Sequence, residues 1–206
     1  MTSAMARRSL RLAAVYDEAS PAWQDFYPED LPDDWRFAYF AHFWPNLLIP
    51  AGAWERFASS IDWVTEVPDT LRLYFEIPDV PKPANEVLPR LASALGSRLG
   101  GILCADCTEP PADPHIRQHW FVPVPVPAVA GVEEATAFAA AGLKVFRLRP
   151  EPGLSLPRWR SLLEQVHAST GGLLAALVFL EVGPRELETA ETILRLSGLE
   201  SVARED

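Results

Sequence analysis

Long apolar runs are missing from this chain. The longest, Leu173 to Leu180, falls far short of the roughly 20 residues that cross a bilayer as a helix, so no membrane partner is expected. Positive charge is scarce: 18 lysines and arginines stand against 28 acids, for a net charge of −10. Such a surface repels phosphate backbones, and no basic stripe with interleaved aromatics relieves it, which excludes nucleic acid as a partner. Lysine occurs only at positions 82 and 144, a compositional bias that carries no function by itself. Two cysteines, Cys104 and Cys107, are too few for a multi-bridge disulfide framework and fit a reducing compartment. Arg11 breaks the first apolar run, and Tyr16, Asp17 and Glu18 end it. No export signal is therefore expected, and the expected location is cytoplasmic. Gly-rich nucleotide loops, a G-x-S-x-G elbow and HExxH are all lacking, which removes support for the familiar cofactor and nucleophile classes.

What the chain does have is a distinctive aromatic stretch, Trp23 to Pro50, WQDFYPEDLPDDWRFAYFAHFWPNLLIP. Pro32 suits a first helical turn, and Asp33 and Asp34 place negative charge at the positive end of the helix dipole. Trp35, Ala38, Tyr39 and His42 recur at helical spacing, which predicts one buried face. The residue order resembles the YecE-like TIM-barrel family, domain of unknown function 72, whose pattern is W-x-x-x-FYP followed by YYA-x-x-F-x-TVEIN. The matching residues are Trp23, Phe26, Tyr27, Pro28, Tyr39, Phe40, Ala41 and Trp44, with the first gap one residue shorter.

Weaker echoes follow in order. LRLYFEIP puts Glu76 where the family has lysine, and RLGGILCADC falls where its strand ends in Gln-x-Pro. VFRLRPE keeps Arg147 of Y-x-R-x-H-G and puts Arg149 in place of the histidine, and ALVFLEVGPRELETAETIL parallels the penultimate strand and last helix. Family polar positions are replaced by Leu48, Pro50, Leu180 and Glu181, and Thr189 stands before Ala190 where another asparagine is usual. The resemblance skips the middle, about 108 to 142. It implies a shortened, divergent relative built as a TIM-like barrel.

Periodicity gives the same class independently. A chain of 206 residues is expected to form one α/β domain over 1–206 and to bury roughly 70% of its unfolded surface. Strands are predicted at 10–16, 47–49, 71–77, 102–104, 144–148 and 173–182. Helices are predicted at 32–43, 53–64, between Pro83 and Gly96 or Gly100, at 132–141, at 157–167 and from Pro184 to Gly198. A Pro-rich bridge at about 108–131 contains VPVPVP, which lacks the donors of a central strand and reads as extended chain or an edge. Alternating elements call for a parallel sheet with right-handed crossovers. A complete barrel typically needs about 250 residues, so the expectation is an incomplete or distorted TIM-like barrel, with an open doubly wound sheet as the alternative.

In either architecture a ligand meets the carboxyl ends of the strands. The charged residues there are Asp17, Glu18, Glu76, Asp106, Arg147, Arg149 and Glu181. The carboxylates Asp17, Glu76, Asp106 and Glu181 are candidates for acid–base work or a divalent ion. Arg147 and Arg149, two apart on a strand, share a face and suit an anion or substrate. The competing reading is strand-end acids that cap helices and meet solvent. Gly183, Pro184 and Arg185 at a strand-to-helix junction are a weak phosphate signal.

A second constellation is Cys104, Cys107, His115 and His119. C-x2-C-x7-H-x3-H has the ligand types of a zinc or other divalent metal site, with the histidines on one helical face from Pro114. The spacing is shorter than a zinc finger's, so structural cysteines with loop histidines fit the same residues. A redox dithiol fits less well, because Pro110 and Pro111 follow where reactive C-x-x-C opens a helix.

Three functional readings stand together. The replaced polar positions favour a degenerate barrel acting as a binding or interaction protein, with a protein partner or a second copy of itself, and seven tryptophans suit such a surface unless they form the core. The alternatives are an enzyme acting on a small anionic or polar substrate at the strand ends, and a metal-binding protein.

Overall fold

The structure is a computed structural model that describes residues 9–17, 20–77, 84–107, 109–140, 142–170 and 175–199. Its strands are β1 (Ser9–Val15), β2 (Asn46–Ile49), β3 (Arg72–Ile77), β4 (Leu99–Cys104), β5 (Trp120–Pro123), β6 (Val132–Ala140), β7 (Leu143–Pro150) and β8 (Ala175–Leu180), in sequence order around a closed barrel. The class is the expected α/β barrel, and it is distorted, because β6 and β7 are antiparallel while the other resolved pairs are parallel. A strand order without a reversal has no switch point, which sets aside the doubly wound alternative. The chain divides into two compact units, Ala13–Pro123, and Met1–Leu12 with Val124–Asp206.

In the unit Ala13–Pro123 the strands are nearly continuous in burial, with Leu47, Leu48, Ile49, Leu73 and Phe75 inaccessible, as strands covered on both faces require. Between β3 and β4 the register jumps from Leu73 opposite Leu99 to Tyr74 opposite Gly101. Gly100 is the extra residue of this bulge. A Cβ on Gly100 would stand 2.5 Å from the Tyr74 ring and one on Gly101 2.6 Å from Phe121. Two adjacent glycines therefore make room for two rings.

The short helices α1 (Pro21–Gln24) and α2 (Arg36–Ala41) carry the aromatic stretch, and a 3-10 turn at Asp33–Trp35 precedes α2. Trp23 packs its ring 4.5 Å from Phe40 and 5.1 Å from Trp44, and Phe26 lies 5.3 Å from Tyr27 and from Trp44. Tyr16 at the end of β1 meets Phe37, Phe40 and Phe57 edge to face. The residues that carry the sequence resemblance thus form one packed ring cluster, whose geometry adds attraction beyond area burial.

The helix expected over 53–64 is interrupted. Helix α3 covers Trp54–Ser59 and a 3-10 turn follows at Asp62–Glu66. Ser60 is extended, its hydroxyl donates to Asp62 at 2.8 Å and accepts from the Asp62 N–H, a local bond that competes with the helix. Helix α4 (Ala84–Leu95) buries Leu88, Leu91 and Leu95. The Pro-rich bridge holds a four-residue helix, α5 (Pro114–Arg117), and part of it does pair, as β5 against β4.

In the second unit, the helix expected over 132–141 is a strand over 132–140, and Ala141 lies outside the described residues. Alanine and glutamate made that segment read as helix, yet β6 pairs with β7 through eight residues, so tertiary pairing overrides propensity. Gly142, with φ +87°, turns a hairpin rather than ending a helix. A connection this short forces an antiparallel pair. Helix α6 (Leu156–Ala168) buries Trp159, Leu162, Leu163 and Val166, and α7 (Pro184–Leu196) buries Leu187, Ala190 and Leu194, as their periods predict. The strand expected at 173–182 is β8 over 175–180; Leu173 and Leu174 lie outside the described residues, and Glu181 and Val182 follow the strand. No helix among the described residues is long and apolar enough to cross a membrane.

Candidate functional site

Strand β7 carries Arg147 and Arg149 on one face, as their spacing requires. Hairpin pairing sets Thr136 of β6 opposite Arg147 and Glu134 opposite Arg149. Glu181, just past β8, is positioned by its backbone N–H, which donates to the Leu148 carbonyl at 2.9 Å. Its carboxylate then lies between the two guanidiniums. Arg147 donates to Glu181 Oε2 at 2.9 Å, and Arg149 donates to Oε1 through Nη2 at 2.7 Å and Nε at 3.0 Å. Arg149 Nη1 also meets Glu134 at 2.8 Å.

These five residues line a shallow surface cleft. The inner pair is well shielded, with Arg147 and Glu181 side chains 18% and 23% exposed, while Arg149 and Glu134 are 41% and 52% exposed. The hydrogen bond to Glu181, followed by its charge, raises the Arg149 pKa above the ordinary arginine value. Thr136 Oγ1 is buried and has no hydrogen-bond partner among the described residues. The cluster is formally neutral, with a shielded ion pair on the inside and an exchangeable one outside.

Three predicted site residues, Arg147, Arg149 and Glu181, are therefore brought together. Glu134 and Thr136 were missed, because a search of strand carboxyl ends cannot reach the front half of an antiparallel strand. Adjacent Glu133 and Glu134 were visible, though in a segment read as helix.

The remaining acids fall in the other unit. Glu76 is buried on β3, and its Oε2 accepts from the Ala51 N–H at 3.2 Å, capping the turn after β2. Asp17 is half-buried, Asp106 is exposed in the loop after β4, and Glu18 lies outside the described residues. At the proposed phosphate junction the Gly183 N–H is taken at 3.0 Å by the Glu186 carboxylate.

Cys104 and Cys107 are joined as a disulfide, with Cα atoms 5.3 Å apart, and in that state neither offers the thiolate that binds a metal. His115 and His119 do not share a helical face, since α5 ends at Arg117. His115 donates its backbone N–H to Asp113, the N-cap of α5, at 2.8 Å. His119 lies beyond the helix, and burial lowers its pKa from the ordinary 6.5. Among the described residues no group of three or more His, Cys, Asp or Glu could hold a metal ion.

The tryptophans are mostly core. Trp23, Trp44, Trp54, Trp120 and Trp159 are buried, Trp63 is half-buried and Trp35 is exposed.

No protein-family model matches the chain, and no curated protein matches it. A solved structure of a DUF72 family protein from Enterococcus faecalis V583 is similar, with 12% sequence identity, 95% of this chain and 100% of that chain covered, and a TM-score of 0.43.

Proposed function

We propose that this protein binds a small anionic ligand, a carboxylate or phosphate, at the β6–β7–β8 cleft, and acts as a binding protein. The observation that carries the reading is Arg149, half-exposed and held on its outer side by Glu134. A solvent-exposed pair of this kind contributes about 0–1 kcal/mol, so an incoming anion displaces Glu134 at little cost and receives the guanidinium fork. The buried Thr136 hydroxyl, which lacks a partner among the described residues, supports the same reading as a second donor. Glu181 accepts from both arginines, which leaves it poorly placed as a proton acceptor and favours binding over acid–base catalysis.

Calorimetric titration with inorganic phosphate, oxalate and succinate tests this. One saturable site is expected for at least one probe, weakened about tenfold or more in Arg149→Gln and strengthened in Glu134→Gln, since a bidentate charged hydrogen bond is lost in the first and a competitor in the second. No saturable heat with any of the three in the wild type would remove the reading.

A further inference from the structure

A separate face, independent of the anion cleft, lies on the aromatic unit. Trp35 in the 3-10 turn, Tyr39 in α2 and Phe43 in the turn just past it follow one another at four-residue steps, which brings them toward one side of the segment. Trp35 is 62% and Phe43 52% exposed, and large apolar side chains this open, rimmed by charge, mark contact sites. The face is firmly built from below. Phe43 packs 5.0 Å from Phe26 and 5.1 Å from Tyr39, and Phe26 leans on the buried Trp23 at 5.4 Å.

Charge identifies what it fits. Asp25, Glu29, Asp30, Asp33 and Asp34 are all exposed in the segment leading into α2, and Arg36 is the one basic residue there. Arg36 itself shows the recognition chemistry. Its guanidinium stands 5.4 Å over the Tyr27 ring while Nη2 meets Asp33 at 2.9 Å. A ring and a carboxylate thus hold one arginine, and exposed Trp35 beside exposed Asp34 offers the same pair outward. A second copy of this chain is a poor occupant, because two such faces would juxtapose like charges. Anionic lipid and nucleic acid are repelled for the same reason.

We propose that the Trp35–Tyr39–Phe43 face docks an arginine-bearing segment of a partner protein. Guanidiniums stack on the Trp35 ring and pair with the surrounding carboxylates, while apolar side chains of the segment cover Phe43.

Fluorescence anisotropy with a labelled oligo-arginine peptide tests the face, with oligo-lysine and oligo-glutamate peptides as controls. The intact protein is expected to bind oligo-arginine more tightly than oligo-lysine, because an ammonium stacks less well. Trp35→Ala is expected to weaken binding about tenfold at unchanged charge, and the double change Asp33→Asn, Asp34→Asn to weaken it and flatten its salt dependence. Trp35 is exposed, so Trp35→Ala keeps the wild-type melting midpoint, and Phe43→Ala is the second variant. Wild-type affinity in both aromatic variants would mean general attraction to an acidic protein and overturn the proposal. So would the absence of peptide binding in the wild type, or self-association on sedimentation that Trp35→Ala abolishes.

Discussion

The two compact units are held together by different chemistry. All aromatic residues except Phe138, Phe146, Trp159 and Phe179 lie between Ala13 and Pro123, and there ring packs on ring from Tyr16 through Trp44. The other unit buries those four among a larger number of aliphatic side chains and sets its Arg147–Glu181–Arg149–Glu134 chain of ion pairs on a hairpin. Ring packing depends on neighbours close in sequence and leaves a recognisable residue order. The charge cluster draws on β6, β7 and the residue after β8, which share no local pattern. The continuous Trp23 to Pro50 order therefore marks a packing feature, whereas the charge cluster is assembled by strand pairing.

The largest break in that comparison is Trp23→Ala. Trp23 is 2% exposed and touches Phe26, Phe40 and Trp44, so its removal leaves a cavity and is expected to cost about 3–5 kcal/mol. Urea unfolding followed by circular dichroism reads this out. A cost below about 2 kcal/mol would mean that the rings repack freely and that the cluster is not a specific support.

Glu181→Gln is the corresponding break in the charged unit. It leaves two guanidiniums facing each other without their shared carboxylate. A buried broken pair costs about 3–5 kcal/mol, and partial exposure here reduces the expectation to about 1–2. The gap to wild type is expected to shrink as salt rises, because screening weakens the repulsion. Trp23→Ala should show no such salt response. Equal salt responses in the two variants would erase the distinction between the units.

The barrel class and six of the strands were legible from alternation, because parallel strands and their helices differ plainly in period. Strand β6 was not. VEEATAFAAAG carries helix formers ending in glycine, and only pairing with β7 shows that the glycine turns a hairpin. The same misreading hid Glu134 and Thr136 and made the sheet look wholly parallel. Arg147, Arg149 and Glu181 were legible, because a two-residue step on a strand fixes a face and a strand end fixes a place. The Cys104 to His119 set read as possible ligands because spacing does not report the oxidation of the sulfurs or where a four-residue helix stops. Seven tryptophans suggested a sticky surface, but burial is not written in composition, and Trp35 alone among them is exposed.

The smallest expected effect sharpens the comparison through pH. Burial lowers the His119 pKa from 6.5, so the unfolded chain takes up its proton first as pH falls. The His119 contribution to stability is therefore full above 6.5 and is lost as pH drops from there through the lower folded value. Substituting His119→Gln is expected to flatten that part of the stability curve, measured by thermal unfolding in closely spaced buffers. Arg149, whose pKa is raised above the ordinary arginine value, contributes no slope in this window. An unchanged slope in His119→Gln would show that burial of the imidazole is not what the curve reports.

The hairpin at Gly142 also settles a question of contour length. A parallel neighbour has to be reached by a crossover of a dozen or more residues, whereas β6 ends at Ala140 and β7 begins at Leu143. The β4 to β5 connection is abbreviated in a related way, through the four residues of α5. One strand direction is reversed and one helix is cut to a single turn. These two shortcuts are how 206 residues trace eight strands around a barrel whose usual repeat consumes about 250.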